Sequence, residues 1–322
     1  MGIVKLLSAA AIAAATMTGT AFAEYPEQTI TIIVPWSAGG GTDAAARTIG
    51  TILERDLGQK VSVINRTGGS GVVGHSAIAA AKPDGYTLGL ITSEINMMHW
   101  MGLTELTHEA YAPLAMMNED PAGVHVAATS PWNDLGAMVE DIRANPGKFK
   151  GTGTGIGGSW HLALAGLLNE LDISADALPW IPSKGAATGL LDIVAGGAHV
   201  APVSLPEAAA LAEAGKLKTL AIMSNQRAEN FPDVPTVEQA IGVPWSQGVW
   251  RGMVVPKGVD EAIVEKLSAA MEKIYKDPEY ADFMQKRGFG LRYMGSAEFG
   301  EFLGEEDASM GVVLKAIGLA KQ

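Results

Sequence analysis

Three times along this chain an apolar, β-branched run is cut by a cluster of glycines and followed at once by residues at helical spacing. Thr29 to Val34 passes through Ser37, Ala38, Gly39, Gly40 and Gly41 into a helix over Asp43 to Leu57. Ala45, Ile49, Ile52, Leu53 and Leu57 share one face of it, and Thr42 or Asp43 is its expected cap. Val61 to Ile64 repeats the pattern with Thr67-Gly68-Gly69-Ser70-Gly71 as the turn and a short Ala-rich helix over residues 72 to 81. The third unit runs from Lys148 through the glycines between Gly151 and Gly158 into a helix carrying Leu162, Leu164, Leu167 and Leu168. Alternation of this kind implies an α/β protein with parallel sheets covered on both faces, whose ligands sit beyond the carboxyl ends of the strands. The glycine turns lie at those ends.

The remaining segments fill the same plan. Pro83-Asp84-Gly85 turns the chain into the apolar run Tyr86 to Ile91, and Tyr111 to Met117, Val124 to Ala128 and Leu217 to Ser224 read as strands. Ser204 with Glu207 three residues on, and Pro206 between them, is a capping-box start for a helix ending at Gly215. From Asp260 the chain is expected to be largely helical to its end.

The first residues have the form of an address. Lys5 supplies the positive charge, residues 6 to 20 are uncharged and apolar or small, and Ala21-Phe22-Ala23 is an A-x-A cleavage signal. A run so short and Ala-rich is a poor membrane span. The mature chain is then expected to start at Glu24, in the periplasm, with 299 residues (322 less 23) and a formal charge of −13 (22 cations against 35 acids). That balance argues against a nucleic-acid partner, which needs a basic footprint. It leaves room for a small anion, whose field is set by local donors. With no cysteine in the chain there are no disulfides or thiolate metal sites, and no lipid-attachment residue follows the leader.

Enzyme motifs are matched poorly. Gly69-x-Gly71-x-x-Gly74 and Gly153-x-Gly155-x-x-Gly158 fit the dinucleotide fingerprint, with Asp176 beyond the second, but among 39 glycines chance matches are expected and the first strand ends in a different turn. Ser70 and Ser159 lack the second glycine of a nucleophile elbow. The six histidines show no paired metal-ligand spacing. No cofactor and no metal are expected, and no catalytic group is assigned. The turns do suit anion capture. A helix start exposes unpaired N–H groups and a partial positive charge, so several starts converging on one cleft can hold a carboxylate without cationic side chains. Trp36 and Trp160 stand beside the first and third turns.

These residues, with Tyr25-Pro26, Pro35-Trp36-Ser37, Asn65-Arg66, Lys184-Gly185, Asp233-Val234-Pro235-Thr236 and Trp250-Arg251-Gly252, resemble in order the Bug family, the periplasmic solute receptors of tripartite tricarboxylate transporters. The resemblance implies a type II periplasmic-binding-protein fold, with two α/β lobes, two crossings between them and the ligand in the cleft. It places residues 24–128 and 248–322 in one lobe and 129–247 in the other, with crossings near 127 to 130 and 246 to 250. Carried onto this chain, the family's ligand positions are Trp36, Ser37 to Asp43, Gly69, Ser70, Gly71, Gly155, Gly157, Gly158, Ser159, His161, Ser183, Lys184 and Gly185. The chain departs from the family at Trp36 (often Phe), Ser183 (usually Tyr) and Gly158 (usually Ser), all of which bear on specificity. The implied function is capture of a small di- or tricarboxylate, or a related organic acid, and its delivery by a monomeric receptor to the transporter's membrane subunits. A sensory receptor on the same fold is the alternative, with a secreted hydrolase or dehydrogenase behind it.

Overall fold

The computed structural model describes residues 25–316 and 318–321; the leader, its cleavage signal and Glu24 lie outside them. From the first described residue the chain builds β1 (Ile30–Val34), α1 (Gly41–Leu57), β2 (Val61–Asn65), α2 (Val72–Ala79), β3 (Thr87–Thr92) and β4 (Tyr111–Pro121). It then forms β5 (Gly123–Ala127), α3 (Leu135–Ala144), α4 (Ser159–Glu170), α5 (Ala186–Val194), β6 (Val200–Ala201), α6 (Leu205–Glu213), β7 (Leu217–Ile222) and α7 (Val237–Ile241). Last come β8 (Gly248–Pro256), α8 (Glu261–Tyr275), α9 (Pro278–Arg287), β9 (Met294–Gly295) and α10 (Ser296–Ala316). None of the described helices is long and apolar enough to cross a membrane.

Among the described residues the strands form a six-stranded sheet, ordered β2-β1-β3-β8-β4-β9, and a three-stranded one, β6-β5-β7. The larger sheet is apolar on both faces. Ile30, Ile32 and Val34 of β1 point into one core with α1, α8 and α9, while Ile33 points into the other with Ile78, Trp250 and Phe299. Strand alternation therefore feeds two buried layers, as a sheet sandwiched by helices requires. The smaller sheet has a single core, in which Val124 and Val126 meet Trp132, Met138, Leu164, Leu167 and Leu190.

The expectation of parallel sheets holds only for β2, β1 and β3. β8 is antiparallel to both β3 and β4, and the smaller sheet is antiparallel throughout. The cause is connectivity. β4 carries the chain out of the larger sheet and β8 brings it back, so the two run side by side in opposite senses from Tyr111↔Pro256 to Pro121↔Gly248. β5 already belongs to the smaller sheet, so the chain changes sheet between Pro121 and Gly123. The opening strand of the third glycine unit is reduced to single bridges from Gly151 to Trp180 and Val200, because the glycines that follow leave no ladder to extend.

Helix starts also differ in detail. Gly40, in extended conformation, is the residue before α1, and Asp43 reaches back to accept from the Gly39 N–H at 2.9 Å. Thr42 is turned to a different partner, described below. α6 starts as expected, with the Glu207 carboxylate accepting from the Ser204 N–H at 3.3 Å and its hydroxyl at 3.0 Å.

Gly74 shows how tightly α2 is seated behind β1. A methyl group there would stand 2.6 Å from the Arg66 carbonyl oxygen and closer still to Pro35 Cα, both backbone atoms that cannot swing aside. Alanine gains about 1 kcal/mol over glycine inside a helix. Overpacking against fixed atoms costs about 1–3 kcal/mol, so the balance falls on the unfavourable side. Gly74→Ala should lower the urea midpoint; an unchanged or raised midpoint would show that the seat is soft.

Candidate functional site

The site lies where the carboxyl ends of β1 and β3 in the larger lobe face the starts of α4, α5 and α6 in the smaller one. Between them is a small cavity of about 20 Å³, room for about one water molecule. Trp36, Ser37, Gly40, Gly41 and Thr42 line it from the first loop, Thr92 and Glu94 from the end of β3, and Val249 and Arg251 from β8. The smaller lobe contributes Thr154, Trp160, Gly185, Ala186 and Glu207.

Arg251 is the centre of its charge. Only 1% exposed, it donates from Nε to Thr42 Oγ1 at 3.1 Å and from Nη1 to Asn118 and Asp120, with Nη2 3.5 Å from Glu207 Oε1. Burial alone would disfavour its charge, but Asp120 and Glu207 outweigh that and hold its pKa above the ordinary value. Asp120 also accepts from the Gly290 N–H at 2.8 Å, tying the segment after α9 to the same cluster. Glu207 comes from the opposite lobe. Its Oε1 accepts from the Gly41 N–H, the first amide of α1, at 2.9 Å. Burial pushes its pKa up, with Arg251 and the Gly41 amide offsetting only part.

A mirror arrangement stands at the other helix. Glu94, from the larger lobe and 3% exposed, accepts from the Ser159 N–H at 3.0 Å and hydroxyl at 2.9 Å, at the start of α4 in the smaller lobe. Its second oxygen takes the Thr92 hydroxyl, which itself accepts from Trp36 Nε1 at 3.0 Å. Each lobe thus places a carboxylate on the helix start of the other. Both positions satisfy an amide that has no partner within its own helix and favour negative charge.

The expected site residues divide into three groups. Trp36, Ser37, Gly40, Gly41, Thr42 and Gly185 line the small cavity. Gly69, Ser70, Gly71, Gly155, Ser183 and Lys184, with the outer side of Trp36, line a groove of about 760 Å³ at the cleft mouth. There Gly155 lies so close to Ser70 that a side chain at Gly155 would overlap it. The third group is turned to structural work. Asp43 bonds Arg47 and Asn65 and shapes the first loop, whose Ala38 and Gly39 are exposed. Gly157 and Gly158 shape the turn before α4, and Ser159 is spent on Glu94 and on Ser93 Oγ at 2.6 Å. His161 turns away, its Nδ1 accepting from the Gly157 N–H at 2.9 Å and its ring against Trp180 at 4.7 Å. Ser159 and His161 form no nucleophile–base pair.

Glu94, Thr92, Thr154, Ala186, Val249 and Arg251 are site residues that the motif reading does not assign, and Glu207 enters it only as a helix cap. Arg251 carried a signal, being a charge inside an otherwise apolar strand, which demands buried partners.

Two predictions follow from these charges. Arg251→Met removes the cation and leaves Asp120 and Glu207 facing each other in a dry site, so unfolding free energy in urea should fall by about 3–5 kcal/mol; a change under about 1 kcal/mol would mean the acids are solvated. The buried imidazoles set the response to acid. His125 and His161 are each held down to about 4 by burial, and His75, between Gly71 O and the Thr92 N–H, is also lowered by burial. The unfolded chain takes these protons near pH 6.5. In the folded chain His125 and His161 take theirs only at about 4, and His75 below its ordinary value, so stability should fall as pH drops from 6.5 toward 4, by up to about 1.4 kcal/mol per unit for each group. Glu207, Glu306 and Asp307, raised by burial, act in the opposite sense, while His199 and Asp43, both lowered, act with the imidazoles. Urea unfolding at pH 7 and pH 5 measures the slope, and His125→Gln should flatten it.

Comparison with known proteins agrees with this architecture. The family model described as tripartite tricarboxylate transporter family receptor matches residues 45–319. Protein BugT of Bordetella pertussis is 32% identical over 254 residues, covering 76% of this chain and 75% of that protein. Among solved structures, a TctC solute binding protein from Polaromonas shares 34% identity with a TM-score of 0.64, covering 91% of this chain and 99% of that one. The periplasmic binding protein BugD shares 25% identity with a TM-score of 0.86 over 92% and 100%. The two-lobed periplasmic-binding-protein fold is the one the family resemblance implied, and the chain belongs to the family of tripartite tricarboxylate transporter receptors.

Proposed function

We propose that this chain is a periplasmic receptor that captures a small organic acid between its lobes and delivers it to the membrane subunits of a tripartite transporter. The observation that carries the reading is the use already made of the cleft: the starts of α1 and α4 each hold a carboxylate at hydrogen-bond distance, with no lysine and one arginine on the cavity wall. Helix starts of this kind suit a solute of hydrogen-bonding oxygens, and Lys184 in the neighbouring groove adds an exposed cation for its carboxylate. Of proteins with this fold, one from R. palustris is described with adipate and MatC from Rhodopseudomonas palustris with malate; the likeness in both is of fold. The leader over residues 1–23 supports export to the periplasm, where such a receptor works.

Admission of a solute requires movement. A cavity of about 20 Å³ holds no organic acid, so the lobes must part about the paired crossings at Pro121–Gly123 and Gln247–Gly248. A few residues at the ends of strands suffice for such a hinge. Parting exposes Trp36 and Trp160, which face the cavity from opposite lobes.

A saturating carboxylate should raise the melting temperature, since a ligand at 100 times its Kd adds about 2.7 kcal/mol. It should also change tryptophan fluorescence in a way that Trp36→Phe or Trp160→Phe diminishes. The solute should be recovered chemically unchanged after long incubation; turnover by the pure protein would refute the receptor reading.

A further inference from the structure

The cavity wall holds Glu94, Glu207 and Arg251, two acids against one cation. Four of the cation's five N–H groups are already engaged. Nε is on Thr42, Nη1 is shared by Asn118 and Asp120, and Nη2 faces Glu207. The amides of Gly41 and Ser159, the donors best placed for an incoming carboxylate, already have acceptors. In the closed form both glutamates are almost wholly buried, so water does not screen them once the lobes have shut on a solute. A solute end that takes up the place between the lobes stands against one or both.

The outer groove differs. Lys184 lies on its wall, exposed, beside Ser70, Gly155 and Ser183, with Asp192 as the acid among the lining residues. The groove therefore offers an exposed cation and the cavity two acids, with Trp36 lining both.

We infer that Glu94 and Glu207 are specificity-determining residues that bar a second carboxylate, so that the solute is a monocarboxylate entering with an uncharged, hydrogen-bond-donating end inward and its single carboxylate toward Lys184. This rests on the carboxylate-receptor reading and narrows it: the di- and tricarboxylates that the family resemblance implied are disfavoured in this member. An amide or hydroxyl at the inner end donates to Glu94 or Glu207, whereas a carboxylate there meets them as a like charge. A neighbouring charge moves a buried carboxylate by about one to three pK units, equivalent to roughly 10- to 1000-fold in binding.

Isosteric series decide the matter. Succinate, glutarate and adipate, each with its monoamide and diamide, are titrated by calorimetry against the mature protein and against Glu94→Gln and Glu207→Gln. Within a length, members differ by one charge and not by shape. In the wild type the best-fitting monoamide should bind at least about 10-fold more tightly than its diacid, the lower bound of that range. Either glutamine variant should shrink the ratio, chiefly by improving the diacid. A diacid that binds the wild type as tightly as its monoamide overturns the filter while leaving the receptor reading intact. So does a ratio unchanged in both variants, provided their thermal melts match the wild type. A diamide that binds as tightly as the monoamide, or a series in which no member binds, overturns the carboxylate reading itself.

Discussion

A guanidinium buried at the seam of two lobes has to be answered from every side, and the arrangement of this cleft follows from how Arg251 is answered. β4 supplies Asn118 and Asp120, α1 supplies Thr42 and α6 supplies Glu207. Leaving such a charge unpaired costs several kcal/mol, which compels these elements into one place. The demand is unevenly shared between the lobes. Asn118, Asp120 and Thr42 sit in the same lobe as Arg251, while Glu207 alone comes from the other. When the lobes part, Arg251 keeps its principal acceptors and Glu207 passes into water. The seam can therefore open without stranding a cation, as a binding protein needs.

The same economy appears at the helix starts. α1 and α4 present amides to the cleft, and each is met by a glutamate of the opposite lobe. These contacts draw the lobes together by the same forces that a bound carboxylate would exert, so a closed form is stabilised from within. Glu94 is held further by the line from Trp36 through Thr92, which couples the first glycine loop to the start of α4. His75 joins the second loop to this line by bonding Gly71 O and the Thr92 amide as a neutral ring. The three glycine turns are thus linked by one buried polar network.

Much of the fold was legible in order along the chain. The β-branched runs at Thr29 to Val34 and Val61 to Ile64, the helical spacing from Ala45 to Leu57 and the Ser204–Glu207 box are local patterns, decided by neighbours within a few residues, and they mark real elements. Strand direction was not legible. Whether β8 lies parallel or antiparallel to β3 depends on where the chain goes during the residues between them, and no local period records that. The reduction of the third unit's strand to single bridges likewise reflects what lay alongside it.

The site divides in the same way. The sequence by itself determined that glycine turns would stand at the ends of strands, with helix starts and tryptophans beside them, because those depend on backbone freedom and local spacing. It could not show that Ser159 and Asp43 are consumed by structural bonds, or that His161 faces Trp180 rather than the cleft. Nor could it show that Glu94, Glu207 and Arg251, from three distant parts of the chain, share one dry space. Only the tertiary structure decided that, because the charge of a cavity is a sum over residues brought together by packing, and a one-dimensional order contains no term for such a sum.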